Sequence, residues 1–207
     1  MIYEGSPADH LRGLATLARE KLRANRRCLY LNSPAMVAEM RSSLAAAGVD
    51  VAQEVEKRAL ILSSDQSHLV NDRFDVDRML GMVADALNEA LNDGYQGLWA
   101  TGDMAWEFGN EKNFAKLLEY EHALEDLFTR QPGLSGVCHY HTETLPADVI
   151  QWGLYTHRAV YINEALSRPN PYYEPANLLT RRRQNVSGTQ LETLLARSTR
   201  TEDLAVH

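Results

Sequence analysis

A cysteine, a histidine and a glutamate in this sequence have the types needed for covalent chemistry. Cys138 could act as a nucleophile, His157 as its general base and Glu121 as the group that orients the histidine. Cys138 nevertheless lies within residues 137–140, a run typical of a buried strand, and no glycine-flanked nucleophile turn surrounds it. We therefore predict no catalytic residue, and an enzyme built on these three residues is the alternative function.

Cys138 and the histidines near it are also residue types that bind zinc and similar metals. Successive side chains of a strand point to opposite faces, so Cys138 and Tyr140 would face one side and His139 and His141 the other. A single tetrahedral site that uses Cys138, His139, His141 and His157 is therefore disfavoured. We predict neither a bound metal nor a cofactor.

The same residues could instead line a pocket for a small molecule. Asp103 and Glu121 would be its polar anchors, and aromatic side chains would form its walls. The predicted ligand-binding residues are Asp103, Met104, Trp106, Glu121, Cys138, Tyr140, His157 and Tyr172. The alternative is that the aromatic residues only fill the core and that Asp103 caps a loop.

Glu121 is informative because it interrupts an apolar stripe. Apolar residues recur with helical spacing over residues 114–128, and Glu121 falls on the same helix face. A carboxylate on the core-facing side of a helix needs a partner. We predict that Glu121 is buried, either paired with a donor that stabilises the packing or facing a ligand beside Asp103, Trp106 and Tyr140.

The elements that position these residues can be predicted from the sequence, in which short apolar runs alternate with amphipathic stretches. Strands are predicted at residues 27–31, 59–62, 98–100, 136–140 and 159–162, with residues 1–3 as a short sixth. Helices are indicated at about residues 7–25, 34–47, 51–57, 76–93, 114–128 and 146–155. This alternation predicts an α/β fold with a mainly parallel sheet of five to six strands and helices on both faces.

Three connections are predicted to be irregular. Residues 101–103 would break the strand that begins at Leu98, so that Met104 and Trp106 follow at its carboxyl end, where parallel sheets bind ligands. Residues 63–74 would form a long polar connection, and the proline-rich residues 167–175 an extended segment that carries aromatic side chains.

The chain is divided into a domain over residues 1–175 and an extension over residues 176–207. A helix indicated at residues 189–198 has its leucines on one side and is too short to be stable alone. We expect this helix to dock on the domain or on a second copy of the chain, and we therefore predict a homodimer.

Composition limits the class of protein. The 207 residues are 44% hydrophobic and 24% charged, as in an ordinary soluble globular protein. A net charge of −7 argues against a nucleic-acid surface, and no apolar run reaches the length of a transmembrane helix. Without a signal-peptide pattern, and with two cysteines typical of free thiols, we expect a cytoplasmic protein without direct nucleic-acid or membrane partners.

The first helix begins where a nucleotide-binding α/β protein keeps its phosphate loop. That loop needs a glycine, four residues and then Gly-Lys-Ser/Thr, whereas Gly5 is followed at this offset by His10-Leu11-Arg12. Pro7 removes one backbone donor, and Asp9 adds negative charge where a phosphate would lie. The sequence therefore predicts a loop that does not bind ATP.

Several motifs together resemble one known family. They are C-L-Y-L at residues 28–31, F-D-x-D-R-M-L at 74–80, G-L-W-A-T-G-D-M-A-W at 97–106, L-L-E-Y-E at 117–121, C-H-Y-H at 138–141, T-H at 156–157 and N-P-Y-Y-E-P at 170–175. Taken jointly, they resemble the MEDS domain, the methanogen/methylotroph sensory domain named after the dichloromethane-responsive regulator DcmR. The resemblance covers roughly residues 1–175. The family commonly shows a Cys-Gln-Tyr-Asp type segment where this chain has Cys138-His139-Tyr140-His141.

The resemblance implies a RecA/KaiC-like fold without its phosphate loop, in a ligand-sensing module that is often joined to a DNA-binding or kinase-like domain. We therefore predict a sensory or regulatory domain for a small organic compound, without ATPase activity, in signal transduction or transcriptional control. Its partner would be a separate output protein or domain. The alternatives are the enzyme described above and a scaffold that only oligomerises.

We expect no binding of Mg-ATP in isothermal titration calorimetry, because the residues at 10–12 do not supply the lysine and hydroxyl that hold phosphates. A phosphate-loop ATPase titrated under the same conditions is the positive control. Micromolar binding of Mg-ATP to this protein would contradict the expectation.

Overall fold

The computed structural model describes residues 1–6, 8–110, 114–162 and 166–175. The predicted extension at residues 176–207, with its helix, lies outside the described residues. The strands are β1 (Ile2–Tyr3), β2 (Arg27–Leu31), β3 (Leu60–Ser63), β4 (Leu69–Val70), β5 (Arg73–Phe74), β6 (Leu98–Asp103), β7 (Leu134–His141), β8 (Ala159–Ile162) and β9 (Leu166–Pro169). The helices are α1 (Leu11–Arg23), α2 (Pro34–Ala46), α3 (Val51–Glu56), α4 (Val76–Asn92), α5 (Met104–Glu107), α6 (Leu117–Arg130) and α7 (Ala147–Thr156), with a 3-10 turn at Phe114–Lys116 before α6.

Within the described residues, seven strands form the central sheet in the order β3-β2-β6-β7-β1-β8-β9. The strands from β3 to β8 run parallel to their neighbours, and only β9 pairs antiparallel with β8 at one edge. The predicted α/β fold with a mainly parallel sheet is thus confirmed. None of the described helices is long and apolar enough to cross a membrane.

Helices cover both faces of this sheet, and the alternation of side chains along the strands separates two cores. In β2, Cys28 and Tyr30 pack with the buried leucines of α1 and α2, whereas Leu29 and Leu31 pack with α4 and α6. The face covered by α4, α6 and α7 also contains Cys138 and Tyr140 of β7. The candidate site described below lies on that face.

The first helix starts later than the sequence indicated. Residues 8–10 form a turn, and α1 begins at Leu11 instead of at residue 7. The carboxylate of Asp9 accepts a hydrogen bond from the backbone N–H of Ser6 at 3.2 Å, and the backbone N–H of Asp9 donates to the oxygen of Ser6. Ser6 and Asp9, which resembled the start of a helix in the sequence, therefore close a turn that precedes α1.

The predicted break at residues 101–103 is wrong, because β6 continues through Asp103. Thr101, Gly102 and Asp103 pair in register with residues 137–139 of β7, and the hydroxyl of Thr101 donates to the oxygen of Val137 at 2.8 Å. Gly102 does not form a turn. A glycine is needed at this position because a Cβ would lie 1.8 Å from Oε1 of Glu107. The glycine leaves room for a buried carboxyl group.

Two other segments predicted to be irregular contain strands. The connection at residues 63–74 includes the hairpin of β4 and β5, whose turn residues Asn71 and Asp72 have φ angles of 51° and 62°. Asparagine and aspartate are among the residues that tolerate this conformation, which two-residue hairpin turns require. In the proline-rich segment, Leu166–Pro169 forms β9, and only the residues after it are irregular.

Replacing Gly136 with alanine should destabilise the sheet, because the new Cβ would lie 2.5 Å from the backbone oxygen of Ala100 in β6. We expect the free energy of unfolding to fall by about 1–3 kcal/mol, as in other overpacked cores. The control is Gly81→Ala in α4, where nothing lies within 4 Å of the added Cβ. That variant should gain about 0.5–1 kcal/mol. Urea denaturation measures both, and equal midpoints would contradict the role of Gly136.

Candidate functional site

Four of the predicted ligand-binding residues come together on the α6 face of the sheet, and we call them the Glu121 cluster: Glu121, Cys138, Tyr140 and His157. Glu121 lies on the buried side of α6 and is 2% exposed, as its place in the apolar stripe predicted. Cys138 and Tyr140 are alternate residues of β7 and point to the same face. His157 follows directly after α7.

The polar contacts of the cluster converge on the carboxylate of Glu121. The hydroxyl of Tyr140 donates a hydrogen bond to Oε1 of Glu121. Nε2 of His157 lies 3.5 Å from Oε2 of the same carboxylate. One ligand atom each of Glu121, Cys138 and His157 lies within 4.8 Å of the other two, so these three residues could hold a metal ion.

The helix α7 fixes the orientation of His157. Nδ1 of His157 lies 2.7 Å from the backbone oxygen of Gly153. Because a carbonyl oxygen can only accept, Nδ1 carries a proton and donates it in this bond. Gly153 has a second role, since a Cβ there would lie 2.6 Å from the ring of Tyr140. A glycine at this position therefore lets α7 lie against Tyr140.

The other four predicted residues lie outside this cluster. Asp103 accepts hydrogen bonds from the hydroxyl of Tyr3 and from the backbone N–H of Trp106, both at 3.0 Å, and so caps α5. Met104 is 1% exposed within the core. Trp106 is half-buried with its ring near His68. Tyr172 is half-buried in the turn after β9, where its backbone N–H donates to Asn170.

Glu107 is a buried acid that the sequence did not single out. It is 2% exposed at the end of α5, and its Oε2 has no hydrogen-bond partner among the described residues. Burial first, and then the charges of Asp103 and Glu121, hold the pKa of Glu107 well above its ordinary value. This shift favours the neutral form of Glu107, which can donate a hydrogen bond. Its only signal in the sequence is that it stands beside Phe108, in an apolar segment where a carboxyl group is unusual.

A small cavity of about 30 Å³ lies beside Glu107, between β6 and β7 and the helices α4 and α6. Its walls are mainly apolar, with Met79 and Val83 from α4 and Leu124 and Phe128 from α6. Cys138 also lines it, and is the one member of the Glu121 cluster that does. The cavity thus combines apolar walls with a buried carboxyl group and a thiol.

Cys138 has the surroundings of a protected thiol. It lies within a regular strand, where it pairs with Gly102, and it is 7% exposed. Burial first, and then the nearby carboxyl groups of Glu121 and Glu107, raise the pKa of the Cys138 thiol well above its ordinary value. A nucleophilic cysteine requires the opposite shift, so this geometry favours binding over the nucleophile–base–orienter arrangement.

His139 and His141 lie on the opposite face of β7, where they make their own contacts. Nε2 of His141 donates to the oxygen of Gly5 at 2.9 Å. Nε2 of His139 donates to the hydroxyl of Thr101, whose own proton is used in the bond to Val137. Neither histidine shares a site with Cys138, which agrees with the alternation predicted from the sequence.

The buried Glu107 should make stability fall with rising pH. The folded state keeps the proton of Glu107, whereas the unfolded chain releases it above about pH 4.3, so the free energy of unfolding decreases from there upward. Glu107→Gln is neutral at every pH, and its stability relative to wild type should rise from about pH 5 to about pH 8. Wild type and Glu107→Gln share the other titratable groups that interact electrostatically with residue 107, so these groups do not account for the difference. They are Asp103, Tyr120, Glu121 and Cys138.

Urea denaturation at several pH values, in buffer with EDTA, measures this difference. Glu119→Gln, at an exposed position of α6, controls for the loss of one charge. Parallel stability curves for wild type and Glu107→Gln would contradict the burial of a neutral Glu107.

Comparison with known proteins identifies the family. The model of the MEDS family, described as MEthanogen/methylotroph, DcmR Sensory domain, matches residues 1–158. This match contains the sheet through β7, the cavity and every residue of the Glu121 cluster. A comparison with curated proteins gives no match. The chain therefore belongs to the MEDS family of sensory domains.

Proposed function

We propose that this sensory domain binds a small organic compound in the cavity between the sheet and helices α4 and α6. The observation that carries the proposal is the buried carboxyl group of Glu107, which lines an apolar cavity and has an oxygen without a hydrogen-bond partner among the described residues. A buried polar group without a partner is costly, so it marks a place where a ligand or a water completes the hydrogen bonding.

The size of the cavity limits the ligand. A volume of about 30 Å³ exceeds the ~15 Å³ that one water needs, but is far below the ~150 Å³ of a cavity that binds benzene. The fitting compounds have a few heavy atoms, an apolar part and one hydrogen-bond acceptor for Glu107. A nucleotide is far too large for this cavity.

The predicted site residues take different roles in this proposal. Cys138 contacts the ligand, while Glu121, Tyr140 and His157 support the wall behind it. Asp103 caps α5, and Met104 and Trp106 belong to this helix, which also carries Glu107. Tyr172, in the turn after β9, takes no part.

Regulation of a partner completes the proposed function. The domain acts in signal transduction or transcriptional control by reporting ligand binding to a separate output protein or domain, and it works as a homodimer. It has no ATPase activity and represents a RecA/KaiC-like fold with a degenerate nucleotide site. Support comes from the membership in a sensory family and from the loop before α1, whose residues form a turn closed by the carboxylate of Asp9.

The test uses methanol and chloromethane, which both have one carbon and one further heavy atom but differ in their ability to accept a hydrogen bond. Both should shift the NMR signals of residues that line the cavity. Glu107→Leu should weaken methanol binding about tenfold, the effect of one lost hydrogen bond, and leave chloromethane binding nearly unchanged. Glu107→Gln keeps a donor and should bind both.

A second pair of variants tests the cavity itself. Val83→Leu fills part of the cavity and should weaken the binding of both compounds, whereas Val55→Leu makes the same change at an exposed position of α3. The proposal fails if neither compound shifts the signals of the lining residues in the wild-type protein, or if Val55→Leu and Val83→Leu behave alike.

A further inference from the structure

We propose that Glu121, Cys138 and His157 form a binding site for a divalent cation of the zinc class. This inference goes beyond ligand sensing in the cavity, because it concerns a different set of atoms and a different kind of ligand. The sequence predicted no metal site, because two of the four residues considered there, namely His139 and His141, face away from Cys138. The structure instead places the thiol of Cys138 beside a carboxylate from α6 and an imidazole after α7.

The distances fit a tetrahedral ion after a small adjustment. Zinc binds sulfur at about 2.3 Å and nitrogen or oxygen at about 2.0–2.2 Å, so tetrahedral ligand atoms lie about 3.3–3.6 Å apart. Nε2 of His157 and Oε2 of Glu121 are already 3.5 Å apart. Sγ of Cys138 lies within the 4.8 Å that spans the group, and its approach needs only a shift of about 1 Å.

The hydrogen bonds of His157 turn the correct nitrogen toward the ion. Nδ1 donates to the oxygen of Gly153, so in the neutral imidazole Nε2 carries a lone pair. This lone pair faces Oε2 of Glu121, which is also an acceptor. Two acceptors at this distance repel each other unless a positive charge lies between them, either a proton on Nε2 or a bound cation.

Both partners of this contact are held from behind, as ligands of metal ions usually are. The backbone oxygen of Gly153 fixes the ring of His157, and the hydroxyl of Tyr140 fixes the second oxygen of Glu121. The three ligands come from α6, from β7 and from the residue after α7, so folding assembles the site from separate parts of the chain. When the cation binds, the thiol of Cys138 releases its proton to solvent and the thiolate becomes the third ligand.

Cys28 is a matched control for Cys138. It is also buried and free, but it lies in the core on the α1 face, where its thiol donates to the oxygen of Ala18 at 3.6 Å. Cys28→Ser therefore removes a buried thiol without touching the Glu121 cluster.

The experiment titrates the chelator-treated full chain with Co²⁺, whose spectrum reports a bound thiolate and a tetrahedral site. We expect one ion per chain, with visible ligand-field bands and a near-ultraviolet charge-transfer band from thiolate to cobalt. Zn²⁺ should displace the cobalt and abolish both. Cys28→Ser should behave as wild type, Cys138→Ser should lose the charge-transfer band, and Glu121→Gln and His157→Gln should each bind at least about tenfold more weakly.

Tyr140→Phe keeps all three ligands and removes only the hydrogen bond from the Tyr140 hydroxyl to Glu121. We expect this variant to bind Co²⁺ about tenfold more weakly. Circular dichroism checks that each variant is folded. The proposal is overturned if the folded wild-type chain takes up no Co²⁺ at micromolar concentrations, which would make the contact of His157 with Glu121 an ion pair only. It is also overturned if Cys138→Ser retains the charge-transfer band.

Discussion

The burial of two carboxyl groups, Glu107 and Glu121, is the constraint on which the arrangement of this domain depends. An unpaired carboxylate removed from water costs several kcal/mol, so each group must be neutral or have partners. Burial holds the pKa of Glu107 well above its ordinary value, which favours the neutral form, and the side chain occupies the space that Gly102 leaves free. Glu121 has partners in Tyr140 and His157, and α7 approaches Tyr140 closely because residue 153 is a glycine.

Stability alone does not account for these two acids. Buried charged pairs replaced by apolar residues of similar volume often leave a protein equally stable or more stable. Leucine at 107 or 121 would fill similar space and avoid the cost of removing a carboxyl group from water. Glu107 adjoins a cavity, and Glu121 lies beside a thiol and an imidazole. This coincidence supports the two proposals that these acids serve binding.

The sequence predicted one of these acids and not the other, and helix length is the reason. Most of the stripe around Glu121 lies on α6, which has fourteen residues and is long enough for its buried face to be recognised. Glu107 belongs to α5, whose four residues are too few for a periodic pattern. The sequence predicted a strand break at residues 101–103, whereas Gly102 accommodates a carboxyl group and Asp103 caps α5. Such roles depend on tertiary contacts, which local sequence patterns do not contain.

Cys138 connects the two candidate sites, since its side chain lines the cavity and also lies within reach of Glu121 and His157. An ion that draws Sγ toward His157 moves it relative to the cavity wall, and a molecule in the cavity restricts the same movement. Protein interiors are packed as densely as organic crystals, so a displacement of Sγ requires the side chains around it to move as well. Tyr140 shares the strand with Cys138 and packs against α7 at Gly153, so β7 links the thiol to a helix that the cavity itself does not touch.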